Sequence, residues 1–390
     1  MNRFFRINIY LIIFSFIVSL PGELIAGNEL LDSLKLSKAK IYYDLEKALK
    51  KPDKVYKLDL SNLGLKEIPP EVYQLKNLQK LNFLGNHLTE IPEQITKFKN
   101  LQVLGLASNA KLNFGDAFGR LSNLPNLKEL YLSFNQIKEL PPEIGQLTKL
   151  EALVLYHNQI TYLPPELGEM KNLRTLSFSY SEFFQFPNEI VELKNLRELN
   201  VLNDIYLDVT DTFKKLAQLP KLRKLELSNI NISRLPTSIG KLTNLVELKL
   251  GSNKITDLSE ELLNLKNLKV LDLSNNNLMS LPEIIKGLTS LEKLYLNYNQ
   301  FSQFPVEIFE LKKLTVLSLD FNELVFLPPK INTLQNLEEL SLSFNKLSFL
   351  PDEVSGLRNL KKINVSYNII SEDEIKRIKK LMAFCKKFEG

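Results

Sequence analysis

The chain has 390 residues, 44% of them apolar, and a net charge of only +5, with Lys/Arg and Asp/Glu interleaved throughout. Such a length exceeds one ordinary compact domain and predicts two domains or a repeat array, while the apolar share excludes a disordered chain. The mixed charge lacks the basic stripe that a nucleic-acid partner needs, and a single cysteine, Cys385, excludes a disulfide within the chain.

The first element in chain order is a targeting segment. Arg3 and Arg6 precede a run without charge from Ile7 to Leu20; Pro21 and Gly22 break it, and Leu24-Ile25-Ala26 sets a small residue at a cleavage position. This order predicts a signal peptide over residues 1–26, cleaved near Ala26, and a product that is secreted, exposed at the outer surface or periplasmic. The alternative is a retained anchor. Fourteen helical residues span only about 21 Å, short of a hydrocarbon core of about 30 Å, so no integral membrane segment is expected in the mature chain. Residues 27–54 read as an N-terminal cap. In it, Ser37 to Lys50 places Ile41, Leu45 and Ala48 or Leu49 on one helical face, and Pro52 ends the helix.

Residues 55–370 are periodic. Leu127 opens L-K-E-L-Y-L-S-F-N-Q-I-K-E-L-P-P-E-I, and Leu150 opens L-E-A-L-V-L-Y-H-N-Q-I-T-Y-L-P-P-E-L in the same frame 23 residues later. Fourteen units start at Val55, Leu78, Leu101, Leu127, Leu150, Leu173, Leu196, Leu222, Leu245, Leu268, Leu291, Leu314, Leu337 and Leu360. The template L-x-x-L-x-L-x-x-N-x-L is the leucine-rich repeat. Alternation in L-x-L predicts a short strand with its leucines inward. The Asn at position nine (Asn135, Asn158, Asn253, Asn276, Asn299, Asn322, Asn345) is placed to satisfy backbone groups of successive turns as a ladder. Leu-Pro pairs such as Leu140-Pro141 and Leu281-Pro282 steer the chain into an extended or short helical return. The predicted architecture is an α/β solenoid, a curved horseshoe with a parallel β-sheet on its concave side, an irregular or short-helical convex side, and helical caps at both ends.

Two units have 26 residues, Leu101 to Asn126 and Leu196 to Lys221. Their tails align, which points to duplication of a four-unit block; a special convex loop is the alternative. Asp116 and Asp211 are read as N-caps of short helices that turn Phe118 and Phe213 inward. The ladder position is Leu63 in the first unit and Ser181, Asp204 and Ile230 in three successive units, and the isoleucine cannot replace Asn. This reads as tolerated drift or as a local soft spot.

Positions three, five and seven face the strand side, with position eight at its edge. Two aromatic clusters result: Tyr131, Phe134, Tyr156, His157 and Tyr180, then Tyr295, Tyr298, Phe321, Phe344 and Tyr367. They form either a partner-binding surface or a shield for the Asn row. Residues 371–390 are read as a capping helix opened by the box Ser371-Glu372-Asp373-Glu374, with Ile375, Ile378, Met382 and Cys385 on one face. Cys385 is then a buried small hydrophobe, or else a reactive thiol.

No enzyme is expected. His87 and His157, the two histidines, have no nucleophile patterned beside them, no glycine-rich phosphate loop exists, and the ligand types for a metal are too few. No metal or cofactor is expected, and the residues after the last repeat are taken up by the cap.

The stretch Tyr42-Tyr43-Asp44-Leu45, then Ala48-Leu49, Pro52, Val55 and Leu58-Asp59-Leu60-Ser61, together with returns such as Leu140 to Ile144, resembles the secreted leucine-rich-repeat proteins of leptospiral spirochaetes. The resemblance runs from about Tyr42 to Ile370. It implies a secreted or surface-exposed protein that binds host macromolecules. Contact positions do not carry over, because the long units and the broken ladder depart from the most regular members. The cysteine-rich caps usual in animal extracellular repeats are absent from the sequence. The expected function is therefore protein binding by a monomer. The alternatives are an envelope scaffold or, if the signal peptide does not function, an intracellular signalling-type regulator.

Overall fold

The computed structural model describes residues 30–31 and 33–390, so the leader read over residues 1–26 lies outside the described residues. The chain divides into two compact units, residues 1–131 and 132–390. Among the described residues, no helix is long and apolar enough to cross a membrane.

In the first unit, β1 (Ile41–Tyr42), β2 (Lys57–Asp59), β3 (Lys80–Asn82), β4 (Val103–Gly105) and β5 (Glu129–Tyr131) pair in chain order, all parallel. The fourth-position leucines stand in register, Leu58 opposite Leu81, Leu81 opposite Leu104, and Leu104 opposite Leu130. The cap differs from the helix expected over Ser37 to Lys50. Two short helices, α1 (Ser33–Lys38) and α2 (Leu45–Leu49), flank β1, so Ile41 lies in a strand that pairs with Lys57 and covers the sheet edge. Asp44 caps α2 by accepting from the Lys47 amide at 3.0 Å, and Ala48 is buried beneath it.

In the second unit, β6 (Ala152–Leu155) and its successors again pair in parallel and in chain order, to a final strand Lys387–Glu389. An unbroken column runs Leu248, Leu271, Leu294, Leu317, Leu340, Ile363. Every one of these side chains is buried, because no single turn could hide its leucines alone. The Pro-led returns are 3₁₀ turns such as Pro142–Gln146 and Pro165–Glu169, each with its apolar residue (Ile144, Leu167) inward.

The ladder forms as the spacing requires. Asn276 Nδ2 donates to Leu250 O (3.0 Å), Leu273 O (3.1 Å) and Ser274 O (3.1 Å), and its Oδ1 accepts from the Ile255 amide at 2.9 Å. Asn299, Asn322 and Asn345 repeat this, and Asn86, Asn109 and Asn368 do so too. In three successive units without the Asn the strands lengthen, although the first unit, with Leu63, keeps a strand of 3 residues. Thr175–Ser179, Glu198–Leu202 and Lys224–Ser228 have 5 residues each, against 3 in most others, and they belong to the units carrying Ser181, Asp204 and Ile230.

Helices α3 (Phe114–Leu121) and α4 (Val209–Leu216) turn Phe118 and Phe213 fully inward. Their caps are not Asp116 and Asp211 but Asn113 and Asp208, which accept from the amides of those two residues at 3.3 and 3.0 Å. The aspartates sit three residues into the helix, where an acid meets the positive end of the dipole. The C-terminal helix α5 (Glu372–Leu381) is capped by Ser371, which accepts from the Glu374 amide at 3.3 Å. Glu374 does not reach back to complete the box; it accepts from the Leu350 amide (3.2 Å) and from Arg377 (2.7 Å). Ile378 and Met382 are buried, but Cys385 lies beyond the helix, half-buried, with Sγ 3.5 Å from Lys387 O. The segment after it pairs with Lys362–Asn364 as a last strand.

Candidate interaction surface

Position eight of every unit has a left-handed backbone. Its φ is between 51° and 70° at Asn62, Gly85, Ser108, Phe134, His157, Tyr180, Asn203, Asn229, Ser252, Asn275, Tyr298, Phe321, Phe344 and Tyr367. The conformation does not need the ladder Asn, since Asn62, Tyr180, Asn203 and Asn229 adopt it in units without one. This residue turns the chain out of the strand while its own amide pairs with the next turn, as in Tyr298 N–H to Asp320 O (2.9 Å), Phe321 N–H to Ser343 O (2.9 Å) and Phe344 N–H to Ser366 O (3.0 Å). Half of these positions hold Gly, Ser or Asn. The other half hold rings, which L-residues of that bulk adopt only at a cost of about 1–3 kcal/mol each.

Both clusters read from the sequence fall in the second unit, Tyr131 excepted. Tyr298, Phe321, Phe344 and Tyr367 form one column, with neighbouring centroids 4.1, 4.0 and 4.1 Å apart and planes within 16°. Phe134, His157 and Tyr180 form a shorter column at 4.3 and 4.4 Å. Tyr298 is 49% exposed and Tyr367 72%. Stacking hides the ring faces inside each column and leaves the edges outward. Burial holds His157 below the usual imidazole range, so the stacked ring is neutral at physiological pH.

The position-five and position-seven tyrosines stand apart from the columns. Tyr156 is half-buried, and burial pushes its phenol up to about 12. Tyr295 is half-buried opposite Asp272, with its phenol raised first by burial and then by Asp272 and Glu339. Tyr131, which closes the first unit, donates to Glu129 Oε2 at 2.9 Å, and burial with that carboxylate raises it strongly. The polar groups beside the long column are already tied together. Asp320 accepts from Ser318 Oγ (2.8 Å), Ser341 Oγ (2.6 Å) and the Ser343 amide (2.8 Å). Between the columns, Lys249 serves both Glu247 (2.8 Å) and Glu226 (3.7 Å), and burial raises Glu226 first.

Reading only the strand side missed a second exposed pair, Phe326 and Phe349, with centroids 5.9 Å apart, at position thirteen of adjacent units. Aligning that column of the repeat would have revealed it. His87 is exposed, and among the described residues no group of His, Cys, Asp and Glu is arranged to hold a metal.

Comparison with known proteins agrees with this build. The leucine-rich repeat region family matches residues 116–228 and 202–326, and the leucine rich repeat family matches residues 307–370. Neither is an enzyme family; such repeats generally serve as binding modules. No curated protein matches. Among solved structures, a leucine-rich-repeat protein of Leptospira interrogans is similar at 32% identity and TM-score 0.69, over 89% of this chain and 99% of that one. An internalin of Listeria monocytogenes shares the fold at 23% identity and TM-score 0.57, over 89% and 92% of the two chains. A plant peptide hormone receptor, solved in complex with RGF2, is similar at 28% identity and TM-score 0.54, over 80% of this chain and 54% of that one. With one family match running over more than half of its residues, the chain belongs to the leucine-rich-repeat family.

Proposed function

We propose that the protein is an exported protein-binding module whose main contact surface is the column Tyr298, Phe321, Phe344 and Tyr367, flanked by Tyr295, and whose partner is a host macromolecule. The column Phe134, His157 and Tyr180, with Tyr156, is the secondary contact region. The observation that carries this reading is the set of rings at left-handed positions. Gly, Ser or Asn fills the same position elsewhere at lower cost. Stacking returns about 0.5–1.5 kcal/mol per pair, and four strained rings make only three pairs, so at mid-range values stacking alone does not offset the strain. A surface of stiff, exposed rings is what an interface core needs. Export rests on the order of the first 26 residues, and the host setting on the sequence resemblance to the secreted leucine-rich-repeat proteins of leptospiral spirochaetes.

Tyr298→Ala and Phe321→Ala test the surface. Each should weaken partner binding by about 1–3 kcal/mol and shift the melting temperature little. Loss of stability with affinity intact would make the column a shield for the ladder instead. N-terminal sequencing of the protein recovered outside the cytoplasm should begin near Gly27; an intact Met1 on a cytosolic protein would refute export.

A further inference from the structure

Asp204 occupies the ladder position of its unit, is wholly buried, and neither carboxyl oxygen finds a hydrogen-bond partner among the described residues. In the regular turns the Asn at this position donates to two or three carbonyl oxygens, as Asn253 does to Leu227 O (2.8 Å) and Leu250 O (2.9 Å). By register, the matching carbonyls for Asp204 are Val201 and Phe178. A carboxylate has no proton to offer them; a carboxylic acid has one and can stand in for the amide. The adjacent ladder residues give no help. Ser181 Oγ is buried without a partner, and Ile230 has no polar atom.

We propose that Asp204 serves the ladder as a neutral carboxylic acid and thereby makes the turn 203–208 a pH-sensitive catch, closed in mildly acidic medium and released as the medium turns alkaline.

The surroundings agree. The turn before it brings Tyr180 and Glu182; the turn after it, 228–232, holds no ionisable group; its own turn adds Tyr206 and Asp208; and α4 adds Asp211, Lys214 and Lys215. Among the described residues no cation reaches the carboxyl. Lys215 is occupied by Phe186 O (2.6 Å) and Asp211 (2.7 Å). Burial first, and then the charge of Glu182, push Asp204 up to about 8. Opened to water, the same group titrates near about 4. Between those values the open turn gives up a proton that the closed turn keeps. A raised acid therefore favours closure fully at low pH, and closure weakens as pH rises towards 8, by about tenfold per unit. Ile205 and Tyr206, each more than half exposed, lie on the segment that is released.

Amide hydrogen exchange of the full chain at residues 203–208 tests this from pH 5 to 9, after correction for intrinsic exchange. In the wild type the opening constant should climb about tenfold per pH unit and level off near pH 8. In Asp204→Asn, which restores the ladder residue, it should be flat and lower at pH 8. Glu182→Gln should bring the plateau to lower pH. Isotope-edited infrared of the Asp204 carboxyl should show a C=O acid band at pH 6. A carboxylate band at pH 6, or equal pH slopes in wild type and Asp204→Asn, overturns the proposal. So does protection that follows added sodium or calcium rather than pH, since a cation would then be the bridge.

Discussion

At the scale of single residues, two side-chain positions govern each turn. Position nine carries the ladder, and its loss is severe because several buried groups go unpaired together. Asn276→Ala strips donors from Leu250 O and Leu273 O and an acceptor from the Ile255 amide. It should lower stability by about 1–3 kcal/mol for each group left dry, seen as a drop in the denaturant midpoint. Position eight behaves oppositely. Asn tolerates the left-handed backbone better than Ala, so Phe321→Asn should be more stable than Phe321→Ala by about 1 kcal/mol, although both lose the ring. Equal midpoints for the two variants would show that the backbone at Phe321 is not strained. The sequence showed which residue filled each position; it did not show that position eight is left-handed, because rings there do not announce a positive φ.

At the scale of elements, fourteen copies average out local noise, so strand, ladder and return were legible to within a residue or two. The caps occur once each, and here reading by pattern went astray. Asn113 and Asp208 cap their helices, three residues ahead of Asp116 and Asp211, because the capping residue is the one whose oxygen meets the third helical amide. Asn113→Ala should therefore destabilise α3 by about 1 kcal/mol, while Asp116→Asn should do less; thermal melts of the two variants rank them. The C-terminal cap was half legible: the helix shows in Ser371 and Ile378, but the strand Lys387–Glu389 follows no repeat spacing. Truncation after Ile370 removes both covers from Ile363 and Val365. Uncovering such side chains costs about 1.5–3 kcal/mol apiece, so the shortened protein should melt markedly lower and aggregate; an unchanged melt would show that the end turn needs no cover.

At the scale of the whole molecule, charge is balanced and dispersed. A partner docking on rings should feel little long-range steering, so raising salt from about 0.05 to about 0.5 M should change its affinity less than tenfold. A steeper fall, measured by calorimetry, would move the contact to the charged face around Glu226 and Lys249. The family was legible because a 23-residue period and the fold are one fact seen twice. The candidate site was legible only as a set of residues. Their stacking, exposure and strain depend on a backbone that spacing does not encode.

The left-handed row has a further consequence. The main-chain pose stays the same whichever side chain it carries, while the strain differs: Gly85, Asn275 and Phe344 sit in one conformation, each with its amide bonded to the following turn. Each such position is an interchangeable socket. A ring can be swapped, moved one turn along or withdrawn with the main-chain pose kept, so the chemistry of the exposed row can drift in single steps.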